Sequence, residues 1–305
     1  MTATTSDSGS RGFPLERGRL LSIPDEIGAA DRQAITSKVE KLLRQAREAF
    51  PEWSPPPFDP QTLAEGLGMP IHYTFDLRGA DALIVNKNGA FHILADASVR
   101  NFGRLNFTLA HEIAHTFFEG AADKIHLRSQ DRAIYDRSPE GQTLERLCDI
   151  AAAELLMPPS GFNPVAVEAG FNAQALGSLA SRFHVSLQAA AIRMVRWRSP
   201  DPVAVGFFEY GLPPSANRSA DLTAYRVGRV FRSTMFPFLF PKGKSVPAES
   251  VIYRCSLTSG KRMLEARELF ALRDKQRLLE VTAMPLERRN TGGEPPTVCA
   301  TFRAV

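Results

Sequence analysis

His111-Glu112-Ile113-Ala114-His115 places two imidazoles four residues apart, with a carboxylate directly after the first. Residues four apart share a helix face, so both rings can reach one metal ion. Glu112 lies one step round the helix, within reach of a water on that ion but poorly aimed to be a ligand. Zinc lowers the pKa of such a water towards about 7, and a carboxylate beside it takes the proton as the hydroxide attacks a peptide carbonyl. The chain has only 6 histidines, and random order would give this pattern in fewer than about 1 in 100 shuffles. The helix around it is apolar (Leu105, Phe107, Leu109, Ala110, Ile113, Ala114, Phe117, Phe118). Histidine and glutamate are costly guests there unless they do something.

A catalytic zinc site takes three protein ligands and keeps a fourth position open. Several acids compete for the third place. Glu119 shares the face of His115 but lies a turn too far along, and Asp123, Asp131 and Asp136 sit in a polar stretch with little to orient them. Glu145 is the best candidate, 30 residues after His115 on the next apolar helix, with Asp149 four positions on. That spacing puts a ligand carboxylate and a supporting one on a single face, the latter able to accept a ligand histidine's other N–H. Glu154, near the end of the same helix, is a weaker contender. For stabilising the transition state, His126, Arg128, Arg132 and Tyr135 are candidates by type alone.

These residues need a scaffold, and the chain of 305 residues is long enough for two or three domains. With 44% hydrophobic and 23% charged residues it reads as globular. No stretch approaches a membrane span, and the first residues lack the apolar core of a signal peptide. Three dispersed cysteines, Cys148, Cys255 and Cys299, argue for a reducing compartment and read as small buried hydrophobes. Cytoplasmic location is the expectation. A net charge of +4 is too slight a bias to argue for nucleic acid.

The pattern predicts a disordered tail over 1–20 and helices over Pro24–Phe50 and from Pro60 through Leu67. Strands follow at Ile71–Phe75, Ala82–Val85 and Ala90–Leu94, the last two joined through Asn86-Lys87-Asn88-Gly89. Helices over Asn101–Phe118 and Thr143–Met157 carry the candidate site, with Gly120–Gly141 between them as a loop. Two short helices, Ala173–Phe183 and Leu187–Trp197, break at His184-Val185, where His184 reads as a turn residue. Past residue 200, Val203–Tyr210, Leu222–Phe231, Glu268–Leu272, Arg277–Met284 and Val298–Val305 are strand-like. The fold class is α+β.

Phe107-Thr-Leu-Ala-His-Glu-Ile-Ala-His115, followed by Glu145-Arg-Leu-Cys-Asp-Ile-Ala-Ala-Ala-Glu-Leu-Leu-Met-Pro158, resembles the ImmA/IrrE family of zinc metallopeptidases. The close resemblance covers about residues 59–160. It implies that His111, His115 and Glu145 are the metal ligands and Glu112 the general base, with Asp149 standing where the family usually has asparagine. It implies a zincin-like domain, here 21–160, with a small sheet and an active-site helix. The remainder resembles the radiation- and desiccation-response branch more loosely: a helix-turn-helix-like module (161–200), then a β-rich, GAF-like sensor or docking domain (201–305). Arg193, Arg196 and Arg198 are the residues of that module that could reach DNA.

By this resemblance the expected function is a zinc endopeptidase of narrow specificity that cleaves a helix-turn-helix transcriptional repressor and so induces a stress or DNA-damage response. Manganese suits the same donor set as zinc. Two other readings use the same residues: a DNA-binding or scaffolding regulator with a structural zinc, and the peptidase half of a toxin–antitoxin pair. Glu112 separates the first of these, because a structural site needs no base.

Overall fold

The computed structural model describes residues 15–75, 77, 79–87, 90–119, 126–129, 138–198, 200–211, 223–257, 262–272, 275–286 and 295–305. The chain divides into two compact units: residues 1–161 with 183–185, and residues 162–182 with 186–305. The division falls inside helix α5 (Pro159–Ala169).

In the first unit, α1 (Ala29–Ala49) buries Ile35, Val39, Leu42, Leu43 and Ala46, one face at helical spacing. It starts later than the sequence pattern suggests. Most of the stretch read as a tail lies outside the described residues, but Leu15 is buried and its N–H bonds Gly66 at 3.1 Å. Helix α2 (Pro60–Gly66) begins as read, with the Asp59 carboxylate accepting from the N–H groups of Gln61 and Thr62. Gly68 follows with φ 67°, a backbone conformation that suits glycine.

Among the described residues the sheet of this unit has the order β1-β3-β2-β4. Strand β1 (Ile71–Thr74) runs parallel to β3 (Ala90–Asp96), and β3 is antiparallel to β2 (Ala80–Lys87). Asn86 pairs with Phe91 and Lys87 with Ala90, as a hairpin requires, although Asn88 and Gly89 themselves lie outside the described residues. Strand β4 (His126–Ser129) pairs antiparallel with β2, inside the stretch read as a loop.

Helix α3 (Phe102–His115) packs on β2 and β3, and α4 (Pro139–Leu156) packs on α3. Asn101 caps α3 by accepting the Arg104 N–H at 3.0 Å. The Arg104 guanidinium grips both Asp81 oxygens at 2.6 Å, which ties the start of α3 to β2. Helix α4 opens earlier than its apolar pattern indicates, because Ser138 caps it and Pro139 fits its first turn.

The second unit holds α6 (Ala173–Arg182), α7 (Leu187–Trp197), α8 (Val251–Ser256) and an antiparallel sheet in the order β6-β5-β9-β8-β7. Its strands are β5 (Val203–Gly211), β6 (Ala224–Arg232), β7 (Leu264–Leu272), β8 (Lys275–Pro285) and β9 (Val298–Ala304). The interior strand β9 is buried from Val298 through Phe302, so both faces are covered. Val298, Ala300 and Phe302 join the core with Val251, Ile252 and Cys255 of α8, while α6 packs on β8 and β9 and α7 on β5 and β6. The helix pair α6–α7 therefore belongs to the same compact unit as the sheet. Among the described residues no helix is long and apolar enough to cross a membrane.

Candidate metal centre

Helix α3 is buried from Thr108 through His115, and the side chains of His111, Glu112 and His115 are each 1% exposed. The two imidazoles stand at a ring separation of 4.9 Å. Their Nε2 atoms face one carboxylate from α4: Glu145 Oε2 lies 3.1 Å from His111 Nε2, and Glu145 Oε1 lies 3.7 Å from His115 Nε2. Bonds of about 2.0–2.2 Å at a tetrahedral angle separate donor atoms by roughly 3.4 Å. The two observed histidine–carboxylate separations lie on either side of that value, and the Glu145 side chain, 25% exposed, borders solvent.

Both Nδ1 atoms are engaged on the other side of their rings. His111 Nδ1 lies 3.0 Å from Asp149 Oδ1, and His115 Nδ1 lies 3.4 Å from the Cys148 sulfur. A proton on Nδ1 fixes the tautomer that turns the Nε2 lone pair towards Glu145. One helix supplies all three α4 groups because Glu145, Cys148 and Asp149 lie three and four residues apart. Leu144, Leu147, Ala151 and Leu155 are buried along α4, which packs on both α3 and α1.

Cys148 was legible only as a buried hydrophobe. Its donor atom lies within 4.8 Å of those of both histidines, so His111, His115 and Cys148 make a second conceivable donor set. Cys148 meets His115 at Nδ1, whereas Glu145 faces the Nε2 atoms of both histidines.

Glu112 points elsewhere on the helix. Its Oε2 accepts the backbone N–H of Ile84 on β2 at 3.0 Å. Burying a carboxylate is expensive, and a backbone donor from the sheet offsets part of that cost while fixing where the group sits. Nothing near Glu112 in sequence announces this contact, since Ile84 precedes it by 28 residues.

Two other candidates of the first unit, Glu119 and Glu154, are described. The Glu119 N–H bonds the Leu21 carbonyl at 3.1 Å and its side chain is exposed. Glu154 is buried, nine residues past Glu145 and about 13 Å along the axis. Asp123, Asp131, Asp136, Arg132 and Tyr135 lie outside the described residues, as do the side chains of His126 and Arg128. In the second unit Arg193 is 8% exposed with its guanidinium over the Phe162 ring, Arg198 pairs with Asp201, and Arg196 is exposed. His184 occupies the turn between α6 and α7 at φ 51°.

Residues 102–195 match the model of the IrrE N-terminal-like domain, Peptidase M78. The chain is 33% identical over 140 residues to the radiation response metalloprotease IrrE of Deinococcus radiodurans, covering 44% of this chain and 41% of that protein. It is 32% identical over 147 residues to the protein of the same name from Deinococcus deserti, covering 44% of this chain and 51% of that one. The chain thus spans about half the length of the curated relatives it matches. A solved Mycobacterium tuberculosis transcriptional regulator aligns with 92% of this chain and 78% of that one at a TM-score of 0.47 and 12% identity, too slight a likeness to transfer anything. Residues 102–195, which contain His111, Glu112, His115 and Glu145, are thus similar to the IrrE N-terminal-like domain, and the relatives this chain resembles are metalloproteases by name.

Proposed function

We propose that the chain is a zinc-dependent endopeptidase of narrow specificity, with His111, His115 and Glu145 as metal ligands and Glu112 as general base. The observation that carries this reading is the convergence of both Nε2 atoms on one carboxylate beside a buried, separately anchored glutamate. A structural site would have no use for Glu112. When bound, the ion supplies Lewis acidity, polarising a peptide carbonyl and acidifying water. Manganese is compatible with the same donors.

The chain's own groups do the rest. Glu112 takes the proton from the attacking water and passes it to the departing amine, so one carboxylate acts first as base and then as acid. The Ile84 N–H holds one oxygen of that carboxylate and so limits its rotation. Asp149 and Cys148 keep His111 and His115 turned towards Glu145.

The substrate we infer is a helix-turn-helix transcriptional repressor, cleaved in the cytoplasm to induce a stress response. The metalloprotease relatives named for the radiation response support a stress role. The second unit, with helices on a five-stranded antiparallel sheet, is in this reading a GAF-like sensor or docking domain. Direct DNA reading is weakened by Arg193 and Arg198, which are engaged with Phe162 and Asp201. Incubating the Zn2+-loaded chain with purified repressors of its own genome, followed by intact mass measurement, tests the proposal. One repressor is cut at one bond, and a chelator stops the reaction; cleavage that persists in excess chelator would overturn it.

A further inference from the structure

The sheet of the first unit has two chemically different faces. Ala82, Ile84, Ile93 and Ala95 are fully buried, and Ile84 also meets Glu112 of α3. The other face carries Leu83, Val85 and Leu94, which pack with Leu77 and Ala80 into a small separate cluster. Side chains alternate along a strand, so His92 shares the face of Leu94. His72 pairs with Leu94 across the β1–β3 ladder and shares it too. The two histidines are diagonal neighbours on adjacent strands, a spacing within reach of long and aromatic side chains.

Their rings meet. His72 Nε2 lies 3.0 Å from His92 Nδ1, with ring centroids 5.3 Å apart and planes 19° from parallel. His72 is exposed and His92 half-buried. Two imidazole nitrogens bonded to one ion at about 2.0–2.1 Å stand roughly 2.9 Å apart at a right angle and roughly 3.3 Å apart at a tetrahedral one. In the free chain the two nitrogens share a proton in an N–H···N hydrogen bond at a separation between these values, and an ion replaces that proton once each ring turns slightly to aim its lone pair at a common point. Imidazole pairs suit late first-row divalent ions, and the exposed side leaves water to complete the coordination.

We propose that His72 and His92 form a second, solvent-facing chelating site for a late first-row divalent ion (Ni2+, Cu2+ or Zn2+) on the face of the sheet opposite the His111 centre. The strands hold both rings before the ion arrives, so the second nitrogen binds at a high effective concentration. Because β1 is an edge strand that pairs with no strand but β3 among the described residues, an ion bridging the two also clips the edge in place.

The test is a calorimetric titration of the full chain, first loaded with one equivalent of Zn2+, with Ni2+, checking that the zinc is retained. One further equivalent binds. His72→Ala or His92→Ala weakens that event by about 10²-fold, the advantage expected of a second tethered donor. His184→Ala leaves it unchanged. With Cu2+ in place of Ni2+, electron paramagnetic resonance shows two nitrogen ligands in the wild type and one in either single variant. Both side chains reach solvent, so the variants keep their circular dichroism. Absence of a second event in the wild type, or an undiminished one in the double variant, would overturn the proposal.

Discussion

The Cys148 sulfur stands 3.4 Å from Nδ1 of His115, while Glu145 faces the other nitrogen of the same ring. A cysteine that sequence alone reads as filler is thus placed to fix the orientation of a proposed metal ligand. It also raises the question of which side chain completes the donor set.

Metal retention after dialysis against a competing chelator separates the roles. Glu145→Ala leaves two histidines and loses the ion as His115→Ala does. Asp149→Ala and Cys148→Ala each weaken binding by about 10–100-fold, the range for residues that orient a ligand. Glu154→Ala retains the ion. The Co2+-substituted chain shows no thiolate charge-transfer absorption, and such a band would make Cys148 the ligand instead.

Activity on generic unfolded proteins such as casein is expected to be weak or absent, because the relatives are named for one response and a second unit accompanies the peptidase residues. Digestion of casein at rates comparable to the natural substrate, followed by gel densitometry, would count against a dedicated regulatory protease.

The five-residue motif was readable because one helix carries it; its support was not. Glu145 and Asp149 follow from helical spacing on α4, but the Ile84 contact to Glu112 depends on how β2 packs on α3. Strand β4 escaped because its four residues show no alternation long enough to register. Helix α5 was hidden by Pro159 at its start and Pro164 inside it, residues that usually end a helical reading. Helix α8, six residues long, has too few turns to show a period. Strands β5 and β9 were legible as apolar runs bounded by breakers, while their adjacency, with β9 between β5 and β8, is a matter of topology.

Gly161→Ala tests the packing under α5. A methyl group there would lie 2.6 Å from Phe58, a side chain itself 1% exposed and unable to retreat. Overpacking of this kind costs about 1–3 kcal/mol, and the better helix propensity of alanine offsets at most about 1 kcal/mol of it. Thermal unfolding should shift downward by a few degrees; an unchanged midpoint would mean that the Phe58 ring moves freely.

Alkaline stability should reflect the buried thiols of the second unit. Burial pushes Cys255 and Cys299 from 9.0 up to about 12, with Cys255 adding to the shift of Cys299. Between those values the folded chain keeps protons that the unfolded chain releases, so stability falls as pH rises from 9 towards 12. Denaturant midpoints measured across this range should fall less steeply in the Cys255→Ala, Cys299→Ala double variant. Parallel slopes would show that other groups govern the loss.

The most direct test of the central claim is the cleavage rate of Glu112→Gln on the natural repressor, measured with zinc content matched to the wild type. The substitution keeps the size of the side chain and the ion, and removes only the proton acceptor. The rate should drop by about 10²–10⁴-fold, the usual contribution of one general base. A zinc-replete Glu112→Gln chain that cuts at the wild-type rate would contradict the mechanism.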